Sequence, residues 1–415
     1  MRPGTWIIVV GAVWLGCARG QTDGSQRQTE GQGRIVPLKK TWERAIPLQR
    51  VPEGLRTLRA SECGECHGEI YAEWRASTHA KALHDPQFQA EWNKDQRLFV
   101  CRNCHTPLQN QLETVVTGLV DGDYHRPPST PNPDFDAVLQ EEAITCAVCH
   151  VRDGFVIGPY GDSDAPHATR RAPEALSARA CTVCHNVQDV LSATLVCTFA
   201  TGDEWRESPY PARGEDCITC HMPEVERPLA EGYPRRRVHR HLWAGGGIAK
   251  FPGEEEAAQR AFRSGLEVTV SDQGSGPQPL LRGYAPGDTA HISVTVQNAH
   301  AGHYLPTGDV ERFVLIEMKV VDDGARVLKQ RKERIGEVWE WWPAARKVSD
   351  NSLAPLEKRT FDFTWPIPPG LHRATFTVVV SNHRMTGENA KAMGVFGRYP
   401  LSTEVLRVER PLNIQ

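Results

Sequence analysis

The chain has 415 residues and 40% of them are hydrophobic, which is enough for two or three domains. Its formal net charge is −3 and its basic residues are scattered, so a nucleic-acid-binding protein is excluded. The one basic run, Arg235-Arg236-Arg237, reads as a solvated loop, with pairing to cofactor carboxylates as its second role. Ten of the twelve cysteines fall in five copies of one pentapeptide, leaving Cys17 and Cys197, so the cysteines are not a disulfide framework.

In chain order, Arg2 is followed by twelve mostly apolar residues, 5–16. That is the length of a signal-peptide core and too short to span a bilayer. Residues 1–17 are read as a signal peptide. The end of this stretch, Trp14-Leu15-Gly16-Cys17, resembles the lipobox of bacterial lipoproteins, which makes Cys17 a candidate lipid anchor. Ordinary cleavage near Ala18, with Cys17 incidental, is the alternative. Residues 18–34, rich in Gln, Gly, Thr and Ser, predict a flexible tether.

Residues 35–253 carry the pentapeptides: Cys63-Gly64-Glu65-Cys66-His67, then Cys101, Cys104 and His105, Cys146, Cys149 and His150, Cys181, Cys184 and His185, and Cys217, Cys220 and His221. The first cysteines are 38, 45, 35 and 36 residues apart. In a CxxCH the two thiols can each add to a haem vinyl group, and the histidine then becomes the proximal iron ligand. Zinc would need CxxC units in pairs and leaves the following histidine unexplained. The expectation is five covalently attached haem c groups and a mainly α and irregular domain. Its low apolar content fits a core made largely of macrocycles.

From 254 onward the pattern changes. A connecting helix is predicted over 255–264, then strands over 266–271, 289–298, 312–321, 359–365 and 374–381, and a short helix over 388–393. The segment 254–415 therefore reads as an antiparallel β-sandwich of immunoglobulin-like type, and the whole chain as a mixed fold.

Eleven of the sixteen histidines lie outside the pentapeptides, enough to cap every haem. A helix over 69–82 would set His79 about 18 Å from His67 at about 1.5 Å per residue, so it would cap a neighbouring haem. His239 and His241 are two apart, and only one of them is expected at a given iron. His167 lies between the third and fourth motifs. His303 lies in the loop Gly302-His303-Tyr304-Leu305-Pro306-Thr307-Gly308. His291 and His372, in or beside predicted strands, are expected to be structural. Met222 directly follows His221 and Met318 lies in a predicted strand, so methionine ligation is disfavoured. Cys197 is read as a thiol without a role. A weak repeat is visible: Glu73-Trp74-Arg75-Ala76-Ser77-Thr78-His79 against Glu204-Trp205-Arg206-Glu207-Ser208-Pro209-Tyr210.

The stretch 63–79, Ile144-Thr145-Cys146-Ala147-Val148-Cys149-His150, Cys217-Ile218-Thr219-Cys220-His221-Met222-Pro223 and His241-Leu242-Trp243-Ala244-Gly245-Gly246 resemble the multihaem cytochrome family that includes cytochrome c554. The loop 302–308 looks like one in β domains appended to some of these cytochromes. The resemblance implies haem pairs passing electrons along a wire, with His79, His167, His241 and His303 as distal ligands. It leaves one haem for His125 or His239. No CxxCK is present, which argues against pentahaem nitrite reductase. The expected function is electron relay in the bacterial envelope, with redox protein partners. A homo-oligomer or a subunit of a larger complex is compatible with this reading. The alternative is a reductase in which one five-coordinate haem acts on a small nitrogen or sulfur oxyanion or a peroxide.

Overall fold

The computed structural model describes residues 33–161, 164–243, 245–272 and 283–414. The expected signal peptide, Cys17 and nearly all of the tether lie outside them. Residues 35–415 form one compact unit.

In the motif-bearing part the helices are short, and all five pentapeptides begin or lie on one. The motif helices are Ala60–Gly64, Phe99–His105, Cys146–His150, Ala178–Thr182 and Cys217–His221. A single helical turn is what the motif needs, because residues three apart share a face and both thiols then point the same way. Local signals bound these helices. Asp216 starts Cys217–His221 by accepting from Thr219 N–H at 3.0 Å, and Val151 ends Cys146–His150 by turning extended. Helix α1, Gly68–Ala76, also stops early. Ser77 is extended, with φ −76° and ψ 165°, so His79 lies in the following loop and not on a helix continuing to residue 82. Helix α2 spans Pro86–Lys94.

Between these helices run short antiparallel ribbons, such as Val187–Ser192 with Leu195–Phe199 and Glu224–Pro228 with Arg235–His239. The Arg235-Arg236-Arg237 run is thus in a strand, where a loop was expected. Apolar packing is broken into small clusters, one of Leu58, Leu108, Leu139, Ala147, Val148 and Val151, another of Trp42, Leu98, Val100 and Val187. Gln111, fully buried, stitches the first cluster: its amide donates to Leu139 O at 2.8 Å and Ala143 O at 2.7 Å.

Among the described residues, seven strands of the C-terminal part form an antiparallel sandwich: β1 Leu266–Asp272, β2 Thr289–Asn298, β3 Phe313–Asp322, β4 Val327–Ile335, β5 Lys358–Pro366, β6 Arg373–His383 and β7 Ser402–Asn413, with Glu337–Glu340 and Arg346–Asp350 in a separate ribbon. One sheet has the order β1-β2-β5 and the other β4-β3-β6-β7. Alternating residues from both sheets, including Ile292, Val294, Val296, Ile316, Met318, Val320, Phe363, Phe376, Val378 and Val380, form the molecule's largest apolar cluster. Met318 is fully enclosed there, while His291 and His372 are exposed.

Polar contacts tie the sandwich to the motif-bearing part. Arg384 Nη2 donates to Ile248 O and Ala249 O, both at 2.8 Å, beside Lys250, which pairs with Asp85 inside the motif-bearing part. On α2, the Gln87 amide donates to Glu91 Oε1 at 3.0 Å and Asp309 Oδ2 at 2.7 Å, and the Tyr399 hydroxyl donates to Gln87. Burial and then the Asp309 carboxylate push Glu91 up to about 8; Glu311 adds to the rise and Lys94 opposes it. Glu91 therefore keeps a proton in the folded state that it would lose at about 4.5 when unfolded. Its stabilising contribution is complete below about pH 4.5 and is lost as pH rises through about 8. Urea unfolding of the holoprotein should show a midpoint that falls between about pH 5 and about pH 8.5, and Glu91→Gln should flatten that fall. An identical slope in the variant would remove Glu91 as its source.

Candidate cofactor site

The short helices and ribbons surround a continuous, mostly apolar cavity of about 2190 Å³. Pockets for single small molecules hold roughly 300–1,000 Å³, so this one has room for several large planar groups. All ten pentapeptide cysteines and all five pentapeptide histidines line it, as do His79, His167, His239, His241 and His303.

The imidazoles face one another in pairs. Ring centroids lie 6.3 Å apart for His79 and His185, 6.0 Å for His150 and His241, and 6.1 Å for His221 and His303. A ring nitrogen binds a metal at about 2.0–2.1 Å, and an imidazole ring, with bonds of about 1.33 Å, has a radius of about 1.1 Å. Two imidazoles on opposite sides of one iron would therefore have centroids about 6.2–6.4 Å apart. The observed pairs match that spacing and are too far apart to be stacked on each other.

The ring nitrogens are oriented for this. Nδ1 donates to Leu229 O from His67 at 2.8 Å, to Ala82 O from His105 at 2.7 Å and to Ile157 O from His150 at 3.1 Å. His241 donates likewise to His239 O at 2.9 Å and His303 to Tyr304 O at 2.8 Å. A carbonyl only accepts, so the proton sits on Nδ1 and the Nε2 lone pair is free for a metal. Burial keeps the rings neutral, the ligating form. It holds His79 down to about 3 and His105, His185, His241 and His303 down to about 4.

His167 stands close enough to His67 for the two charges to interact. Its segment is pinned from the other side, where Ala168 N–H donates to Glu53 O at 2.8 Å. Gly54 has φ +90°, and a Cβ there would come within 2.1 Å of Pro166 O, so the close approach requires glycine. The buried Nδ1 of His167 has no hydrogen-bond partner among the described residues.

His105 differs. Phe88 lies flat against its ring, with centroids 3.6 Å apart and planes 10° from parallel, and no second imidazole faces it among the described residues. Neither residue expected to fill that gap is brought there. His239 donates from Nδ1 to Met222 O at 2.6 Å, in the ribbon that carries His241. His125 lies in a turn with Nδ1 4.0 Å from Asp123, away from the cavity lining. Cys197, in the Leu195–Phe199 strand, has its thiol pushed up to about 12 by burial and the neighbouring carboxylates.

The motifs also touch one another. The thiols of Cys63 and Cys146, Cys104 and Cys184, and Cys181 and Cys217 lie close enough to shift each other's ionisation. Helix Ala60–Gly64 packs on Cys146–His150, and Ala178–Thr182 on Cys217–His221. The first motif therefore neighbours the third, and the fourth neighbours both the second and the fifth. The sequence reading did not single out Glu73 and Arg227 as part of this site. Arg227, 6% exposed, grips Glu73 through two nitrogens at 2.7 and 2.8 Å, and Glu73 Oε2 accepts from His241 N–H at 2.9 Å. The recurring Glu-Trp-Arg was the only sequence signal for Glu73; for Arg227 there was none.

The family model of cytochrome c554 and c-prime matches residues 62–125. No curated protein matches the chain. Among solved structures, a penta-heme cytochrome c552 from Thermochromatium tepidum superposes with a TM-score of 0.60 at 16% identity, over 87% of this chain and 100% of that one. A CARDB domain from Pyrococcus furiosus aligns with 36% of this chain and 87% of its own, at 12% identity and a TM-score of 0.19. The shared fold, the match across the first two motifs and the five CxxCH pentapeptides support the likeness of this chain to multihaem c-type cytochromes, with an appended C-terminal β domain.

Proposed function

We propose that the chain is an electron-transfer protein of the bacterial envelope that carries five covalently bound haem c groups, most of them bis-histidine ligated. The observation that carries this reading is the set of three imidazole pairs spaced 6.0–6.3 Å apart, with the motifs in mutual contact. Bound haem would supply one-electron redox chemistry. The chain's own residues would do the rest. The cysteine pairs would tether each macrocycle. His67, His105, His150, His185 and His221 would be the proximal ligands, with His167, His241, His79 and His303 opposite His67, His150, His185 and His221 respectively. The Nδ1–H···O=C bonds would fix ring orientation and raise ligand basicity, and the apolar lining would keep water from the centres. Mostly bis-histidine ligation favours low potentials relative to methionine ligation. The predicted signal peptide supports export, Cys17 is the candidate lipid anchor, and the partners would be redox proteins of the envelope.

One observation favours a second reading, a reductase. His105 faces Phe88 and, among the described residues, no second imidazole, so its haem would be the one with an open position for a small nitrogen or sulfur oxyanion or a peroxide.

Pyridine haemochrome analysis should return five haems per chain; fewer would overturn the count. Low-temperature EPR of the oxidised protein distinguishes the two readings. An axial high-spin ferric signal lost on adding nitrite or cyanide favours the reductase, and low-spin signals alone would sink it. His303→Met should raise the potential of one haem; an unchanged spectrum and potential would strike His303 from the ligands.

A further inference from the structure

The two copies of the Glu-Trp-Arg-x-Ser repeat make the same contacts in the fold. In the first, on α1, the Trp74 indole N–H donates to Ile144 O at 2.8 Å, two residues before Cys146 of the third motif. Glu73 Oε2, beside it, accepts from the backbone N–H of His241, whose ring faces His150 of that same motif. In the second, on the helix Thr201–Glu207, the Trp205 indole N–H donates to Glu215 O at 3.0 Å, two residues before Cys217 of the fifth motif. Glu204 Oε2 accepts from Tyr304 N–H at 3.0 Å and from the Thr307 hydroxyl at 2.7 Å. Tyr304 follows His303, whose ring faces His221 of that same motif. Both helices end alike: Ser77 N–H bonds Trp74 O at 2.9 Å and Ser208 N–H bonds Trp205 O at 3.1 Å.

We propose that Glu73 and Glu204 are equivalent positioning residues, each paired with its tryptophan in a short helical caliper that sets the gap between the two axial histidines of one haem. The indole holds the side that carries the CxxCH, and the carboxylate holds the segment that carries the opposing imidazole. The two gaps come out nearly equal, 6.0 and 6.1 Å, although one opposing histidine follows a ribbon of the motif-bearing part and the other belongs to a loop of the sandwich. The exposed Arg75 and Arg206 take no part, and Arg206 pairs with its helical neighbour Asp203. The copies differ in stiffness. Glu73 is also gripped by Arg227 and approached by Arg240 at 3.2 Å, whereas Glu204 accepts from neutral donors, Tyr304 N–H and the Thr307 hydroxyl. The arrangement rests on these histidines being haem ligands.

The test is EPR and spectroelectrochemistry of holoprotein variants with the haem count verified. Glu204→Ala should replace one low-spin signal with a high-spin one or shift its midpoint. Glu73→Ala should do the same to a different signal. The double variant should show both changes independently. Glu204→Gln keeps an acceptor oxygen and should restore the wild-type spectrum. Trp205→Phe removes the N–H while nearly keeping the volume, and should disturb the same signal as Glu204→Ala; it reads the linkage if the alanine variant fails to mature. If His241→Met and His303→Met alter the spectrum while the glutamate and tryptophan variants leave every signal and midpoint unmoved, the caliper is overturned and the ligand assignment stands. If the histidine variants are also silent, the ligand assignment falls first.

Discussion

Everything in the motif-bearing part depends on imidazoles being held in opposed pairs across an apolar void. Such a void cannot be closed by its own side chains. The aliphatic clusters around it are small and separate, and the one extensive core belongs to the sandwich. Opposed rings about 6 Å apart are neither packed on each other nor solvated. Rings such as His150, His241 and His303, whose Nδ1 protons are held by carbonyls, turn Nε2 toward a mostly apolar cavity, which is unfavourable unless something accepts it. On the proposed ligation, a metal-bearing planar group between the rings would complete the fold, and haem attachment and folding would be one problem.

Holding the pairs takes a second layer of contacts, and it comes from distant parts of the chain. Carbonyls at residues 82, 157 and 229 orient the proximal rings, and carboxylates on two short helices hold the opposing segments. Most of these are backbone groups presented by irregular structure. This accounts for the density of short ribbons and capped single turns, because long regular elements would spend their carbonyls on themselves.

How legible this was depends on the kind of interaction. The CxxCH motifs are local, so their number could be read directly. The sandwich strands with alternating apolar residues, such as Thr289–Asn298 and Phe313–Asp322, stood out for the same reason. Val327–Ile335 did not, because its run of Lys, Arg and Glu on an edge strand hides the alternation. Ser402–Asn413 was masked likewise by outward charges. The helix expected over 69–82 ends at Ala76 since Ser77 turns extended, which helix propensity alone does not reveal. The facing pairs could not be derived from spacing: His79 and His185 are joined only by the tertiary fold, and so are Glu73 and Arg227.

The loop that carries His303 has a consequence for how the protein is made. His221 is synthesised 82 residues before its opposing ring, and the intervening chain includes the first two strands of the sandwich. Attachment at the fifth motif can thus be finished while the other face of that site is still bare. On the proposed ligation, that site would close only when the C-terminal sandwich has folded and docked. The β domain would then be a late checkpoint on maturation: a chain truncated or misfolded after residue 265 would lack the ring opposite His221 and keep one face of that site exposed.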